Sequence, residues 1–255
     1  MYHHSEIELE KVLVNLKKNF NLIAIKSEFE AEGSSVDDIS KLRNITSRNN
    51  IQLFVKIGGA EAVNDIFTCI ELGVDGIIAP MIESGFALTK FKESIINLKL
   101  KKLPYLSINI ETENAIKNIN EILKSSENFL DNITIGRSDL AKSYFDKSVK
   151  QNSSVITNKI LYLIKKIKKI NLSITVGGGI DQETINKFRK IKKINLIDKL
   201  ETRKIILPTD IMLKNKKALG NSLLFEEKYI LYKKGINDFR LNKDIIRIQN
   251  LKIRK

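Results

Sequence analysis

Short β-rich runs alternate with helix-like runs along nearly the whole 255-residue chain, and this alternation limits the fold more than any other feature. NLIAIK (21–26), QLFVKI (52–57), GIIAPM (76–81), PYLSINIE (104–111), NITIG (132–136) and LSITV (172–176) are each followed by a helix-like stretch. A further strand lies within INLIDKLETRKIIL (194–207), and helices are expected over 4–20 and from Ile211 to about Lys233. Such alternation builds βαβ units and a parallel sheet. Seven strands at this length favour a (β/α)8 TIM barrel over a six-strand open sheet. A barrel normally opens with a strand, whereas this chain opens with a helix, so an atypical or missing first strand is expected. The eighth strand is either the tail segment DIIRIQNLKI (244–253) or RKIIL separated from DKLET. The expected organisation is one TIM-barrel domain over 1–255, with the barrel at about 20–207 and a C-terminal helical extension at 211–255.

Composition narrows the setting. Hydrophobic residues make up 42% and are evenly spread, enough for a full core. No apolar run reaches the ~18 residues of a membrane span, and the opening MYHHSEIELE lacks the basic-then-apolar layout of a signal peptide. Cys69 is the single cysteine, which excludes an intrachain disulfide and fits a reducing cytoplasm. The net charge of +14 is dispersed, and its densest run, KILYLIKKIKKI (159–170), has the spacing of a solvated helix face. No aromatic-basic motif for nucleic acid is present. The expectation is a cytoplasmic protein with neither a nucleic-acid nor a membrane partner.

Barrel chemistry gathers at the C-terminal ends of the strands. Those ends carry KSEFEAEGSS (26–35), KIGGAEA (56–62), APMIES (79–84), NIETEN (109–114), IGRSDLA (135–141), VGGGID (176–181) and KLETRK (199–204), so nearly every polar or glycine-rich motif falls on one rim. Glu111 and Asp139 end consecutive strands, and acids placed there need a partner. Two hard oxygen ligands with open positions suit Mg²⁺ or Mn²⁺. The bland alternative is that Glu111 caps the next helix and Asp139 pairs with Arg137. In VGGGID, Gly177, Gly178 and Gly179 would let backbone approach a ligand beside a helix N-terminus; the alternative is a tight turn. Arg203, Lys56 and Lys26 are strand-end cations suited to a carboxylate or phosphate, although Lys26 would serve equally well paired with Glu28 or Glu30.

INIETENAIKNINEI and TIGRSDLA resemble the metal-binding segments of the HpcH/HpaI pyruvate-dependent aldolase and citrate lyase β-subunit family of TIM barrels. KIGGAEAVNDIFTCIELGVDGIIAPMIES resembles the segment before them, and the resemblance covers roughly residues 20–207. It implies that Glu111 and Asp139 bind the divalent metal, and that Lys56 stands where these aldolases carry an arginine touching the substrate keto oxygen. There are three departures. A glycine or serine replaces the catalytic histidine near EFEAEGSS, lysine replaces arginine at 56 and loses the bidentate fork, and the family's opening strand is missing. The only histidines are His3 and His4.

The expected activity is a divalent-metal-dependent carbon–carbon lyase or aldolase acting on pyruvate or a pyruvate-forming 2-oxo acid, phosphorylated substrates included. Lys56 would add positive charge at the enolate oxygen. The base would be Glu32, Glu28 or a metal-bound hydroxide. Arg137 and Lys26 join the substrate-binding set, with the glycine loop and Arg203 at the distal end. The alternatives are an acyl-CoA lyase of citryl or malyl type, a Schiff-base aldolase using Lys26 or Lys56, and a non-catalytic 2-oxo-acid-binding relative. Leu219, Leu223, Leu224, Ile230 and Leu231 on the helix at 217–235 must cover this barrel or a neighbour's. Terminal helices of the resembled family often pack across subunits, so a homo-oligomer is expected.

Overall fold

The computed structural model describes residues 2–233 and 241–254, so residues 234–240 of the expected C-terminal extension lie outside the described residues. In chain order the elements are α1 (Tyr2–Phe20), β1 (Ala24–Glu28), α2 (Val36–Arg48), β2 (Gln52–Lys56), α3 (Val63–Glu71), β3 (Gly76–Ala79) and α4 (Gly85–Ile96). They continue with β4 (Tyr105–Ile110), α5 (Glu113–Lys117), α6 (Ile119–Ser125), β5 (Asn132–Gly136), α7 (Arg137–Lys142), α8 (Ser154–Ile167), β6 (Ser173–Gly177) and α9 (Gln182–Phe188). The last are β7 (Lys199–Glu201), β8 (Ile205–Pro208), α10 (Thr209–Lys214), α11 (Ala218–Lys233) and α12 (Leu241–Arg254).

The eight strands close into one barrel in sequence order. β1 to β7 run parallel, and β8 runs antiparallel to both β7 and β1. The irregular strand is therefore the last. RKIIL does separate from DKLET, and the tail segment 244–253 lies in α12. Chain connectivity dictates the reversal. Only Thr202, Arg203 and Lys204 join β7 to β8, whereas a parallel crossover needs about a dozen residues or more. The turn is tied by Thr202 N–H donating to the Ile205 carbonyl (2.9 Å), and the Lys26 N–H donates to the Lys204 carbonyl (2.8 Å), which seals the barrel.

Side chains of alternate strand residues fill the barrel. On one side Ala24, Phe54, Ile78 and Ile206 form an apolar plug, with Phe54 stacked on Tyr105 at 4.9 Å. Gly76 makes that stack possible, since a Cβ there would lie 2.5 Å from the Phe54 ring. On the other side Asn132 donates to Ser107 Oγ (2.8 Å) and accepts from Thr175 Oγ (3.0 Å), while Lys199 Nζ donates to Tyr105 OH (2.6 Å). Outward residues such as Ile25, Leu53, Ile77, Ile108 and Ile133 are buried under the helices.

Helix α1 buries Leu9, Leu13, Leu16 and Phe20, a stripe at helical spacing. It packs against α11, which buries Leu219, Leu223, Phe225 and Tyr229 and also contacts β8. The leucines of α11 thus cover this chain's own barrel. Leu224 and Ile230 are half-buried and Leu231 is exposed. Among the described residues, no helix is long and apolar enough to cross a membrane.

Candidate active site at the barrel mouth

The C-terminal ends of β1, β2, β4, β5, β6 and β7 surround a cavity of about 340 Å3. Glu111 and Asp139 both line it. Neither bland alternative for these acids is present. Thr112, not Glu111, caps α5, its hydroxyl accepting from the Ala115 N–H (3.1 Å). Asp139 pairs with Lys142 (3.1 Å), not with Arg137.

Glu111 is held in place by its surroundings. Its Oε1 accepts from the Met81 N–H (3.0 Å) and its Oε2 from the Asn109 amide (3.2 Å). Met81 adopts a left-handed φ of 53°, a costly conformation for a non-glycine residue, in the segment that aims this N–H. Gly136 is small because a Cβ there would stand 2.7 Å from Glu111 Oε2. Burial pushes the Glu111 carboxyl up, with Lys56 and the Met81 N–H offsetting part of the rise and the Asp139 charge adding to it. A buried acid next to another acid, with lone pairs to spare, is a site that gains from a cation. Among the described residues, no group of three or more His, Cys, Asp or Glu side chains gathers to hold a metal. The donor set is two carboxylates, which fits a hard, partly hydrated ion such as Mg²⁺ or Mn²⁺.

A buried chain of alternating charges runs beside this pair. Glu201 accepts from Lys26 (2.9 Å), Lys26 also meets Glu28 (3.2 Å), and Glu28 meets Lys56 (3.0 Å). Register produces the last contact, since Glu28 and Lys56 are direct partners across β1 and β2. Burial opposes charge on Lys26, but the attraction of Glu201 and Glu28 outweighs it and raises its pKa. Burial likewise opposes charge on Glu28, yet Lys26 and Lys56 hold its carboxyl down to about 2. Lys26 is therefore a charged bridge and not a neutral amine poised for a Schiff base.

Several expected site residues are placed elsewhere. Glu32 does not line this cavity; it is a buried partner of Lys204, whose ammonium also lies 4.4 Å from the centre of the Tyr229 ring. Its role as base is corrected accordingly: of the two candidate glutamates only Glu28 reaches the cavity. Arg137 is likewise corrected from substrate binder to internal clamp. Its guanidinium is buried over Phe188 and donates to the carbonyls of Gly177 (3.0 Å) and Gly178 (2.8 Å) and to Asn152 (2.9 Å) and Thr184 (3.2 Å). Burial lowers its pKa to about 10.

The glycines also have internal duties. At Gly177 a Cβ would stand 2.6 Å from the Glu201 side chain, so that glycine seats Glu201. Gly178 and Gly179 do line the cavity, but the expected anion place at the following helix is taken by the N-cap carboxylate of Asp181, which accepts from the Thr184 N–H (2.7 Å). Gly178 has a left-handed φ of 83°, and a Cβ on it would lie 2.5 Å from the Ser138 N and 2.6 Å from the Arg137 N. Gly178→Ala should therefore push the loop off α7, which carries Asp139. A loss of roughly 1–3 kcal/mol by denaturant titration is expected; wild-type stability would contradict this packing.

Sequence reasoning did not single out Glu201, Asn109, Ser138, Lys142, Arg247 or Arg254, all of which line the cavity. Strand alternation on β7 could have found Glu201, which shares the inward face with Lys199. No sequence signal brings the α12 arginines to the mouth.

A sequence model of the HpcH/HpaI aldolase/citrate lyase family matches residues 36–176. No curated protein sequence matches. The fold is similar to that of an HpcH/HpaI aldolase/citrate lyase family protein from Burkholderia cenocepacia J2315, with a TM-score of 0.60 and 11% identity over 72% of this chain and 80% of that one. It is similar to an HpcH/HpaI aldolase from Desulfitobacterium hafniense DCB-2, with a TM-score of 0.59 and 11% identity over 76% and 81% of the two chains. It is also similar to the protein CitE from Mycobacterium tuberculosis in complex with magnesium and pyruvate, with a TM-score of 0.52 and 12% identity over 81% and 88%. At these identities the likeness is one of fold.

Proposed function

The chain belongs to the HpcH/HpaI aldolase/citrate lyase family, and from that premise we propose that it is a divalent-metal-dependent carbon–carbon lyase acting on pyruvate or a pyruvate-forming 2-oxo acid. The observation that carries this is the pairing of Glu111 and Asp139 in one cavity beside Lys56. Glu111 and Asp139 would hold the metal. Bound there, a divalent cation would supply Lewis acidity toward the negative charge that develops on the keto oxygen.

The chain's own residues do the rest. Lys56 is turned toward the site by Glu28 and close enough to Glu111 to affect its ionisation, so its ammonium favours the enolate over the ketone. Glu28 is held as a carboxylate by two lysines, which makes it a firm anchor for Lys56 and a weak base. Glu201 is the other cavity carboxylate on Lys26, and we assign the proton transfer from the substrate to it. The Arg137 clamp fixes the loop at 177–179, which lies against the backbone at Arg137 and Ser138, at the start of the helix that carries Asp139. Arg203 contacts the part of the substrate away from the metal. We extend the proposal to a cytoplasmic homo-oligomer, in which the exposed apolar side chains Phe145, Phe86 and Met81 would be covered.

Exchange of the pyruvate methyl protons in D2O tests the proposal, because enolisation precedes any carbon–carbon chemistry and needs no knowledge of the second substrate.

A further inference from the structure

Helix α12 brings two arginines to the barrel mouth that enolisation does not use. Arg247 and Arg254 line the cavity that holds Glu111 and Asp139, and Arg203 joins them from the β7–β8 turn. The three differ in how their charge is met. Arg247 donates to both oxygens of Glu226, at 2.6 and 3.1 Å, and is neutralised. Arg254 donates to the Ile180 carbonyl, a neutral acceptor, and Arg203 stands exposed at the tip of the turn. Among the described residues, neither Arg203 nor Arg254 is ion-paired with a carboxylate.

The other charges of the wall satisfy one another. Lys26 and Lys56 are paired with Glu28 and Glu201, and Lys142 with Asp139. Glu111 and Asp139 serve the metal, and the Lys142 ammonium beside Asp139 is largely exposed to solvent. That leaves two positive charges, on Arg203 and Arg254, plus the oriented N–H groups of Arg247. Burial and then the neighbouring Arg247 charge press Arg254 below the ordinary guanidinium range, with the Glu226 and Asp181 carboxylates offsetting part of the fall.

We propose that Arg203, Arg247 and Arg254 form a subsite for a dianionic phosphoryl group at the far end of the substrate. The enzyme would then cleave a phosphorylated 2-oxo acid, or join pyruvate to a phosphorylated aldehyde. Guanidinium forks match phosphoryl oxygens two at a time, and two unmatched positive charges balance a dianion where a single carboxylate would leave one over. Arg203 and Arg247 also line a neighbouring cavity of about 220 Å3 between the β1–α2 loop, α11 and α12, so the subsite stands where the two cavities meet. The position of the reacting end rests on the metal-lyase proposal; the subsite itself does not.

Inorganic phosphate is the probe, titrated by calorimetry into the full-length protein and into Arg203→Ala, Arg254→Ala and Arg254→Lys, with succinate as the dicarboxylate comparison. Phosphate should bind, and each alanine variant should weaken it by about tenfold or more, the worth of one charge-assisted contact. Arg254→Lys, which keeps the charge but not the fork, should fall between wild type and alanine. Circular dichroism checks that each variant is folded, and Arg203 lies in an exposed turn where truncation leaves packing intact. No phosphate binding by the wild type, or equal affinity in all variants, overturns the proposal. Binding of succinate but not phosphate overturns the phosphoryl assignment. Wild-type protein that exchanges pyruvate protons but ignores phosphate refutes the subsite alone; phosphate binding without exchange refutes the lyase proposal alone.

Discussion

Glu111→Gln is expected to lower Mn²⁺ affinity by more than about 100-fold, the upper end of the cost of losing an outer-shell partner, since here a ligand itself is lost. The fold should survive, and the reason is local. The Glu111 carboxylate accepts from the Met81 N–H and from the Asn109 amide. A glutamine oxygen keeps the first contact. Its NH2 would face the Asn109 donor, but Asn109 Oδ1 is buried without a partner, so a flip of Asn109 supplies an acceptor. Burial raises the Glu111 pKa, so its charged form is a cost to the folded state at neutral pH. Removing that charge should leave the melting temperature unchanged or higher. Asp139→Asn should lose metal as well, at the expense of only a surface pair with Lys142. Electron paramagnetic resonance of Mn²⁺ titrations reads the affinity, and calorimetric melting reads the fold. Unchanged affinity in both variants would remove these acids from the metal site.

The second large effect is on stability. Glu28→Ala should destabilise the protein by roughly 3–5 kcal/mol, the cost of stranding a buried charge. Lys26 would keep Glu201, but Lys56 would lose the only carboxylate to which it is ion-paired among the described residues. A pH signature accompanies the loss. The folded Glu28 carboxyl is depressed from 4.5 to about 2, so its contribution is present above the unfolded value and disappears as pH falls from about 4.5 toward 2. Lys26 has a raised pKa, so its contribution is complete below its ordinary value of 10.5 and is lost only at extreme alkalinity. The acid-induced fall in stability should thus be steep in the wild type and shallower in Glu28→Gln. Urea unfolding between pH 2 and 7 measures it. Equal slopes, or a loss in Glu28→Ala under about 1 kcal/mol, would mean the chain of charges is not coupled to folding.

The parallel strands and the acids at their ends were legible because each depends on local pattern. Six of the runs read as strands match β1 to β6 within a few residues, since β-branched runs bounded by polar loops have few other uses. Strand β8 was left open between two segments, although the connection of Thr202, Arg203 and Lys204 already forbade a parallel crossover. The tail segment misled because DIIRIQNLKI is rich in isoleucine; its apolar spacing serves a helix. In the site, Glu111 and Asp139 stood out as charges placed where charges are costly. Glu32, expected as a base, and Arg137, expected in the substrate-binding set, lie in the same strand-end motifs but have internal partners, Lys204 for one and backbone carbonyls for the other. A sequence gives the presence of a charge and not the direction its side chain takes. Arg247 and Arg254 were illegible, because only the placement of α12 beside the end of β7 and Ile180 brings distant basic residues to the mouth.

The account rests on enolisation at Glu111 and Asp139, and one measurement addresses that directly. Pyruvate is incubated with the wild-type protein in D2O, and the loss of its methyl proton signal is followed by NMR with Mg²⁺ or Mn²⁺ and again with excess EDTA. Exchange well above the protein-free rate is expected with metal, falling to background on chelation and returning when metal is restored. No exchange at any metal concentration, or an equal rate in EDTA, would contradict the metal-dependent enolisation of pyruvate by this chain.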